Sequence, residues 1–492
     1  MAARFLPEEA DMRRAWTLMV IFLLSTPAAR AATYVVSPSG DDNASGTPWK
    51  TLQHAANRVA AGDTVQVRAG TYVGFDLRTR GTATAPIAFV AEPGSRITQR
   101  NAVTPDGINL ENTAHVVIQG FEVVGAPRAG IRAALCNNVT LRGNRADQNG
   151  RWGIFTGFCD DLLIEDNECS RSVAEHGIYV SNSGDRPVIR RNRLWGNHAN
   201  GVHMNGDVSQ GGDGIISGAL VEQNVIYENG VGGGSGINCD GVQGSTFRNN
   251  LVYENHASGI SLYQIDGAAG SRNNVVVNNT IIPASNGRWS VNIKGGSTGN
   301  VVVNNILLNR NTGRGSIDIA ADSLQGFVSD YNLVSDRFTP DDGSTFVTLA
   351  QWRASTGQDT HSSLGAVDAT FVNAAGNDYH LSATSPALDR GEPARAPPAD
   401  LEGNPRPLGA GVDLGAYERC PDASCRPHGT DDGGWGPGGT DGGTSSDAGT
   451  NGGADGGNGP PRGCGCQQGG PAAMVAAALF VLALARRPSR RR

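Results

Sequence analysis

The sequence predicts an all-β fold: a right-handed parallel β-helix solenoid with a short N-terminal capping helix. Three observations carry it. Gly followed by Ile or Val recurs as Gly130-Ile131, Gly153-Ile154, Gly177-Ile178, Gly201-Val202, Gly236-Ile237 and Gly259-Ile260, and Ser290-Val291 and Ser316-Ile317 continue the series. An Asn follows each marker, at Asn144, Asn167, Asn192, Asn224, Asn250, Asn279, Asn305 and Asn332. Between them run short β-branched stretches broken by Asn and Gly, the pattern of strands and turns, and compact units are 23 or 24 residues long. Self-similarity at such a period is the mark of a solenoid. Leucine-rich repeats are the main rival, but they need a regular Leu framework and usually a helix per repeat, and this chain has neither.

The segments follow in order. Residues 1–31 read as a signal peptide: Arg13 and Arg14 form a positive start, Ala15 to Leu24 an apolar core, and Ala29-Arg30-Ala31 a small-x-small cleavage pattern. Three acids precede Met12, which makes Met12 a candidate start. The apolar core is too short to span a bilayer. Residues 32–100 form an N-terminal cap and first coils. Within them Trp49 to Ala61 is amphipathic, with Leu52, Ala56 and Val59 on one helical face. A helix laid over the first coil would cover its open edge and exposed core. Residues 101–335 are the repeats, and 336–420 are C-terminal coils and an end module. A Gly/Asp-rich linker (426–463) has no periodicity and reads as solvated. Residues 464–492 hold a Cys pair, an apolar run and an Arg cluster, an order that halts translocation.

Three resemblances accompany these readings. "TYVVSPSGDDNASGTPWKTLQHAANRVAAGDTVQVRAGTYVG" is similar to the N-terminal cap of pectate-lyase-like β-helix proteins, including the alginate lyase and chondroitinase B type. "SPALDRGEPARAPPADLEGNPRPLGAGVDLGAYE" resembles the end module of exported bacterial β-helix proteins of the choice-of-anchor type. "GCGCQQGGPAAMVAAALFVLALARRPSRRR" resembles the myxobacterial C-terminal sorting signal, which implies sorting or processing machinery as a partner. A plain single-pass anchor is the alternative. Either way the body is expected outside the cytoplasm, anchored at the cell surface or outer membrane or secreted, where disulfides are permitted.

With a net charge of −7 and scattered arginines, composition excludes a nucleic-acid binder; a monomer is expected. Cys136 and Cys159 each lie six residues after a marker Gly and would stack one coil apart, about 4.8 Å, inside the disulfide window. Cys420 and Cys425 form a second candidate pair. Cys169 and Cys239 have no obvious partner, and no spacing suggests zinc.

Alternation along the marker strand sorts its residues. Positions one and three after the marker are almost all apolar and point inward. Positions two and four point outward: Arg132/Ala134, Phe155/Gly157, Tyr179/Ser181, His203/Asn205, Asn238/Asp240, Ser261/Tyr263, Asn292/Lys294 and Asp318/Ala320. From Tyr179 to Lys294 this face spans roughly 20 Å at strand spacing, a length suited to several sugar rings. The marker-to-Asn gap is 14 or 15 residues in compact coils but 23 after Gly201 and 20 after Gly259. Two longer loops would therefore flank the face as a groove.

The chain carries only two lysines, Lys50 and Lys294, so a Lys on this face stands out. Eliminating across a uronate needs a base for the proton α to the carboxylate and a means to neutralise that carboxylate. Lys294, Tyr263 and His203 are candidate bases, with Asp240 a further candidate catalytic group. Tyr179, Asn205, Asn238 and Asn292 are candidate substrate ligands, and Ca²⁺ among Asp207, Asp213, Asp240 and Asp266 is an alternative neutraliser. The lyases with a similar cap pair Lys with Arg on neighbouring coils, whereas here the coil after Lys294 offers Asp318 and Ala320.

Two alternatives stand beside elimination. Asn238-Cys239-Asp240 and Asn292-Ile293-Lys294 resemble the Asn-Thr-Asp and Arg-Ile-Lys motifs of polygalacturonase-type hydrolases, but the intervening Asp pair and Gly-His-Gly are replaced by Ser261 and Tyr263. Hydrolysis then lacks a second placed carboxylate. A surface glycan-binding or adhesive module without chemistry fits the same face. The expectation is a polysaccharide-recognising protein, with lyase activity preferred.

Overall fold

A computed structural model describes residues 31–420; the signal segment, linker and Cys-Arg tail, and with them Cys425, lie outside the described residues. The body is a parallel β-solenoid of about 12 turns, built as three sheets of 12, 11 and 12 strands. Strand neighbours within each long sheet come from successive coils.

The marker strands form the 11-stranded sheet in the register the alternation predicts. Ile131 pairs with Ile154, Ile154 with Ile178, Ile178 with Val202, Val202 with Ile237, Ile237 with Ile260, Ile260 with Val291 and Val291 with Ile317. All of these side chains are fully buried, and each such aliphatic contributes about 1.5–3 kcal/mol. The marker glycines have a packing cause. A Cβ on Gly130 would lie 2.8 Å from the carbonyl oxygen of Gly153, on Gly153 2.7 Å from that of Gly177, and on Gly177 2.8 Å from that of Gly201. Gly107-Ile108 and Gly74-Phe75 open strands of the same sheet, so the series runs two coils further toward the N-terminus than Gly130.

The Asn series is a buried ladder. Backbone N–H of Asn144 donates to Oδ1 of Asn167 (2.9 Å), Asn167 to Asn192 (3.0 Å), Asn192 to Asn224 (2.9 Å) and Asn224 to Asn250 (3.1 Å), and the ladder continues through Asn279 and Asn305 to Asn332. The left-handed conformation belongs to the residue before each ladder Asn, such as Asp166 (φ 57°), Gln223 (φ 55°) and Asn249 (φ 52°), and not to the ladder Asn itself. A second ladder, Asn197 to Asn229 to Asn255, stacks at another corner.

Two expectations are corrected. The capping helix covers only Leu52–Ala56, N-capped by Thr51, because Trp49 is taken up by a bridge to Val36. Leu52, Ala55, Ala56 and Val59 are nevertheless buried against the first coil. Cys136 and Cys159 do stack, but as free thiols. Each sulfur turns toward the carbonyl two residues back, Cys136 to Ala134 (3.2 Å) and Cys159 to Gly157 (3.3 Å), while Cys136 N–H donates to Cys159 Sγ (3.2 Å). Cys420 is disulfide-bonded.

Beyond the last coil, the chain returns along the solenoid as a strap. Nδ2 or Nε2 of the residue before each of four ladder asparagines donates into it: Gln223 to Asp400 O (2.9 Å), Asn249 to Ala399 O (2.7 Å), Asn278 to Asp413 O (3.0 Å) and Asn304 to Glu392 O (2.9 Å). An apolar layer that includes Tyr227, Tyr253, Tyr379 and Tyr417 lies beneath. Within this region His380 sits between Glu402 (3.0 Å) and Asp378 (2.6 Å). The hydrogen bond to Glu402, then that to Asp378, raises its pKa to about 9. A His whose folded pKa exceeds its unfolded value stabilises fully below about pH 6.5 and loses that contribution as pH rises through 9. Because the ring is partly exposed, the effect is expected to be modest. Wild-type melting temperature should fall between pH 6.5 and 9 by more than that of His380→Gln; parallel curves for the two proteins would refute the assignment.

Candidate functional site

The outward row of the 11-stranded sheet is a continuous column. Register places Phe155 beside Tyr179, Tyr179 beside His203, His203 beside Asn238, Asn238 beside Ser261, Ser261 beside Asn292 and Asn292 beside Asp318. Two residues further along the strands, Asn205, Asp240 and Tyr263 form a parallel row. Lys294 extends it, with its N–H donating to Leu262 O (3.0 Å).

One end of the column is aromatic. The Tyr179 ring stacks on His203 at 4.8 Å and 17°, and Trp152 and Phe155 pack alongside. Phe155 and Tyr179 are half-buried. His176, which the sequence reading passed over, meets both Tyr179 and His203 edge-on. Burial lowers the His203 pKa to about 4 and holds His176 well below its ordinary value, so both imidazoles are neutral at neutral pH. Burial likewise raises the Tyr179 phenol above its usual range.

The middle is a packed polar layer. Asn238 Nδ2 donates to Tyr263 Oη (2.7 Å), His203 Nδ1 lies 3.2 Å from Asn238 O, and the Ser235 and Ser261 hydroxyls are 2.8 Å apart. Asn205, Asn238, Ser261 and Tyr263 are buried, so this stretch is less open than a simple groove. Neighbouring side chains only one strand spacing apart shield one another.

The two loop excursions meet beside this layer. Val208 N–H donates to Asp266 O (3.0 Å) and Ala268 N–H to Gly214 O (3.0 Å). Asp240 holds them from below, its carboxylate accepting the N–H groups of Ile265 (2.9 Å), Asp266 (2.8 Å) and Gly267 (3.0 Å). Asp240 is thus a loop anchor, its carboxylate engaged by three backbone amides.

The proposed Ca²⁺ quartet fares likewise. Asp207 accepts from the Ser209 N–H and hydroxyl, Asp213 from Ile215 N–H, and Asp266 from Asn205 Nδ2. Among the described residues no group of three or more His, Cys, Asp or Glu side chains is arranged to hold a metal ion. The quartet does not fit as a cation cage, because its oxygens serve local backbone and side-chain donors.

The other end of the column is charged. Lys294 Nζ lies 3.9 Å from Asp342 Oδ1, with the lysine side chain 39% exposed. Asn292 Nδ2 donates to Asp318 Oδ2 (2.8 Å). Asp318 is 6% exposed and its other oxygen, Oδ1, is buried with no hydrogen-bond partner. Burial, reinforced by Asp342, raises the Asp318 pKa to about 6. Outward alternation already marked Asp318. The approach of Asp342 had no sequence signal, since it comes from a loop after the next strand of the sheet, Phe338–Thr339.

Fold and face together define an all-β protein with the pectate-lyase-like, right-handed parallel β-helix fold. A model described as "Right handed beta helix region" matches residues 172–325, and one described as "Periplasmic copper-binding protein (NosD)" matches residues 91–210. The chain is similar to pectate lyase PEL9 of Emericella nidulans, 23% identical over 218 residues, which are 38% of this chain and 52% of that protein. It is also similar to the uncharacterized protein YwoF of Bacillus subtilis, 32% identical over 168 residues, 33% of this chain and 28% of that one. The chain thus spans about half the length of the first of these relatives and less of the second. Among solved structures, pectate lyase Pel9A superposes with a TM-score of 0.54 at 16% identity, over 79% of this chain and 96% of that one, a likeness of fold.

Proposed function

We propose that this protein acts on a uronate-containing polysaccharide laid along the outward column, cleaving it by β-elimination. The observation that carries the reading is the charged end of the column. There an accessible lysine stands beside Asn292 and Asp318, in line with a polar and aromatic row long enough for several sugars. In its amine form Lys294 takes the proton α to the uronate carboxylate, the pair left on carbon forms the new double bond, and the glycosidic oxygen departs with the bond electrons and takes a proton from water. Likeness to pectate lyases supports the substrate class. Such a reaction fits an exported protein, as do the signal-like N-terminus and the periplasmic description of the matched NosD family; the Cys-Arg tail is proposed to anchor the protein at the cell surface.

The test is incubation of the full chain with pectate, alginate and glycosaminoglycans, with and without Ca²⁺. New absorbance from unsaturated uronate ends is expected. Reducing ends without that absorbance would replace elimination by hydrolysis, the polygalacturonase-like reading. A second reading, a glycan-binding module without chemistry, is favoured by the satisfied, buried middle of the column, and would appear as binding with neither signal.

Tyr179 lies four strands from Lys294, roughly 19 Å at strand spacing. Its ring should stack on a sugar well away from the reacting bond. Tyr179→Ala is expected to weaken binding of hexamers about tenfold, an aromatic contact being worth roughly 1 kcal/mol or more, and to leave dimers unaffected. Calorimetric titration of both lengths checks this; equal losses for the two would remove Tyr179 from the binding path.

A further inference from the structure

The charged end of the column contains an unusual buried group. Asp318 projects from the strand Ile317–Ile319, with Oδ2 held by Asn292 Nδ2 at 2.8 Å and Oδ1 buried and without a partner. A buried carboxylate oxygen left without a partner is destabilising. The charges around it are few. From the preceding strand and its end come Asn292 and Lys294; ahead of its own strand lies Arg314; and the loop after Phe338–Thr339 brings Asp342. Asp341, next to Asp342, is tied to Thr339 Oγ1 (2.9 Å) and Thr345 N–H (2.7 Å). Lys294 and Asp342 remain accessible at the rim, with Lys294 39% and Asp342 54% exposed.

From this arrangement, and resting on the uronate reading above, we propose that Asp318 receives a uronate carboxylate, acting in its neutral form as a hydrogen-bond donor through Oδ1. The chemistry follows from the charges. With Asp318 ionised, an incoming carboxylate meets two carboxylates, Asp318 and Asp342. With Asp318 protonated, Oδ1 becomes the missing donor, the bare oxygen is satisfied by the ligand, and only Asp342 is left to oppose the incoming charge. Asn292 keeps Oδ2 as the acceptor, which leaves the proton on Oδ1. The raised pKa of Asp318 makes this form available in mildly acidic solution. Near pH 7 the approach of a second carboxylate draws a proton onto Asp318, so binding and proton uptake are linked. This arrangement supplies a carboxylate neutraliser at the position where an arginine is missing from the next coil.

The test uses the full-length chain, a galacturonate trisaccharide and a mannuronate trisaccharide, with xylotriose as the uncharged control. Titration calorimetry runs from pH 5 to pH 8 in buffers of different ionisation enthalpy. For the wild type, affinity for at least one oligouronate should fall up to tenfold per pH unit above about pH 6, with uptake of close to one proton at pH 7. Asp318→Asn, whose amide donates at every pH, should bind with the wild-type pH 5 affinity across the whole range and take up no proton. Proton uptake by the wild type is an independent measure should the variant fold poorly. Binding that is flat with pH in the wild type, or pH dependence retained in Asp318→Asn, overturns the carboxyl clamp and leaves the polysaccharide reading intact. No binding of either oligouronate by any variant at any pH sinks both.

Discussion

Lys294→Ala should reduce kcat/KM for uronate polymers by about 10²–10⁴-fold, the span expected when a general base is removed, while affinity falls by tenfold or less. Lys294 is the proposed base, and its side chain is 39% exposed. His203 is buried and, with its pKa near 4, a weak base; Tyr263 is buried and already accepts from Asn238. The measurement is initial rate by absorbance of unsaturated ends, alongside calorimetric affinity for an oligomer. Activity within tenfold of wild type would transfer the role to another group. Loss of affinity in parallel with rate would instead make Lys294 a binding residue, since it would have removed ground-state and transition-state interactions alike.

Asn224→Ala should destabilise the body by about 3–5 kcal/mol, measured as a shift in denaturant midpoint. Its Oδ1 accepts from both N–H and Nδ2 of Asn192 (2.9 and 3.0 Å), and its Nδ2 donates to Ile189 O (2.9 Å) and Asn250 Oδ1 (2.9 Å). Truncation leaves several of these buried groups bare at once, and each such group costs about 1–3 kcal/mol. Asp166→Ala, at a left-handed turn position next to the ladder but on the surface, is the contrast and should cost less. A shift below about 1 kcal/mol for Asn224→Ala would mean that water or neighbouring groups satisfy the ladder when an amide is removed.

Much of this architecture was legible because a solenoid repeats its own constraints. The inward and outward assignments follow from period-two alternation starting at the marker, and every pairing from Ile131 to Ile317 matches them. The Asn ladder was legible as a fixed place in each coil, although the left-handed strain sits one residue earlier. The first coils were harder to read: Gly74 and Gly107 serve as markers, but their spacing of 33 residues breaks the compact period. The helix was overestimated because the Trp49 backbone pairs with the first strand instead of entering the helix.

Legibility of the site was uneven for a similar reason. Which residues face outward was readable; which of them are engaged was not. Asp240 looks like a free carboxylate in sequence and is consumed by three amide donors from a loop 25 to 27 residues ahead. Asp318 looked like the absence of an arginine, and its significance depends on Asp342 arriving from another segment. The thiols of Cys136 and Cys159 have the right register for a disulfide, yet the direction of each sulfur is a rotamer choice that spacing does not encode.

The strap has a consequence for the order in which the molecule is made. A solenoid whose coils touch only their neighbours can form or fray one coil at a time. Here four amides, from Gln223 to Asn304, donate to carbonyls between Glu392 and Gly415. Those coils can stack as they emerge, but these bonds begin to form only when Glu392, 88 residues beyond Asn304, has arrived. The body is therefore finished from its end, as a zip is locked by its slider, and a chain cut short before the strap should retain its sheets yet open readily along the later coils that the strap spans.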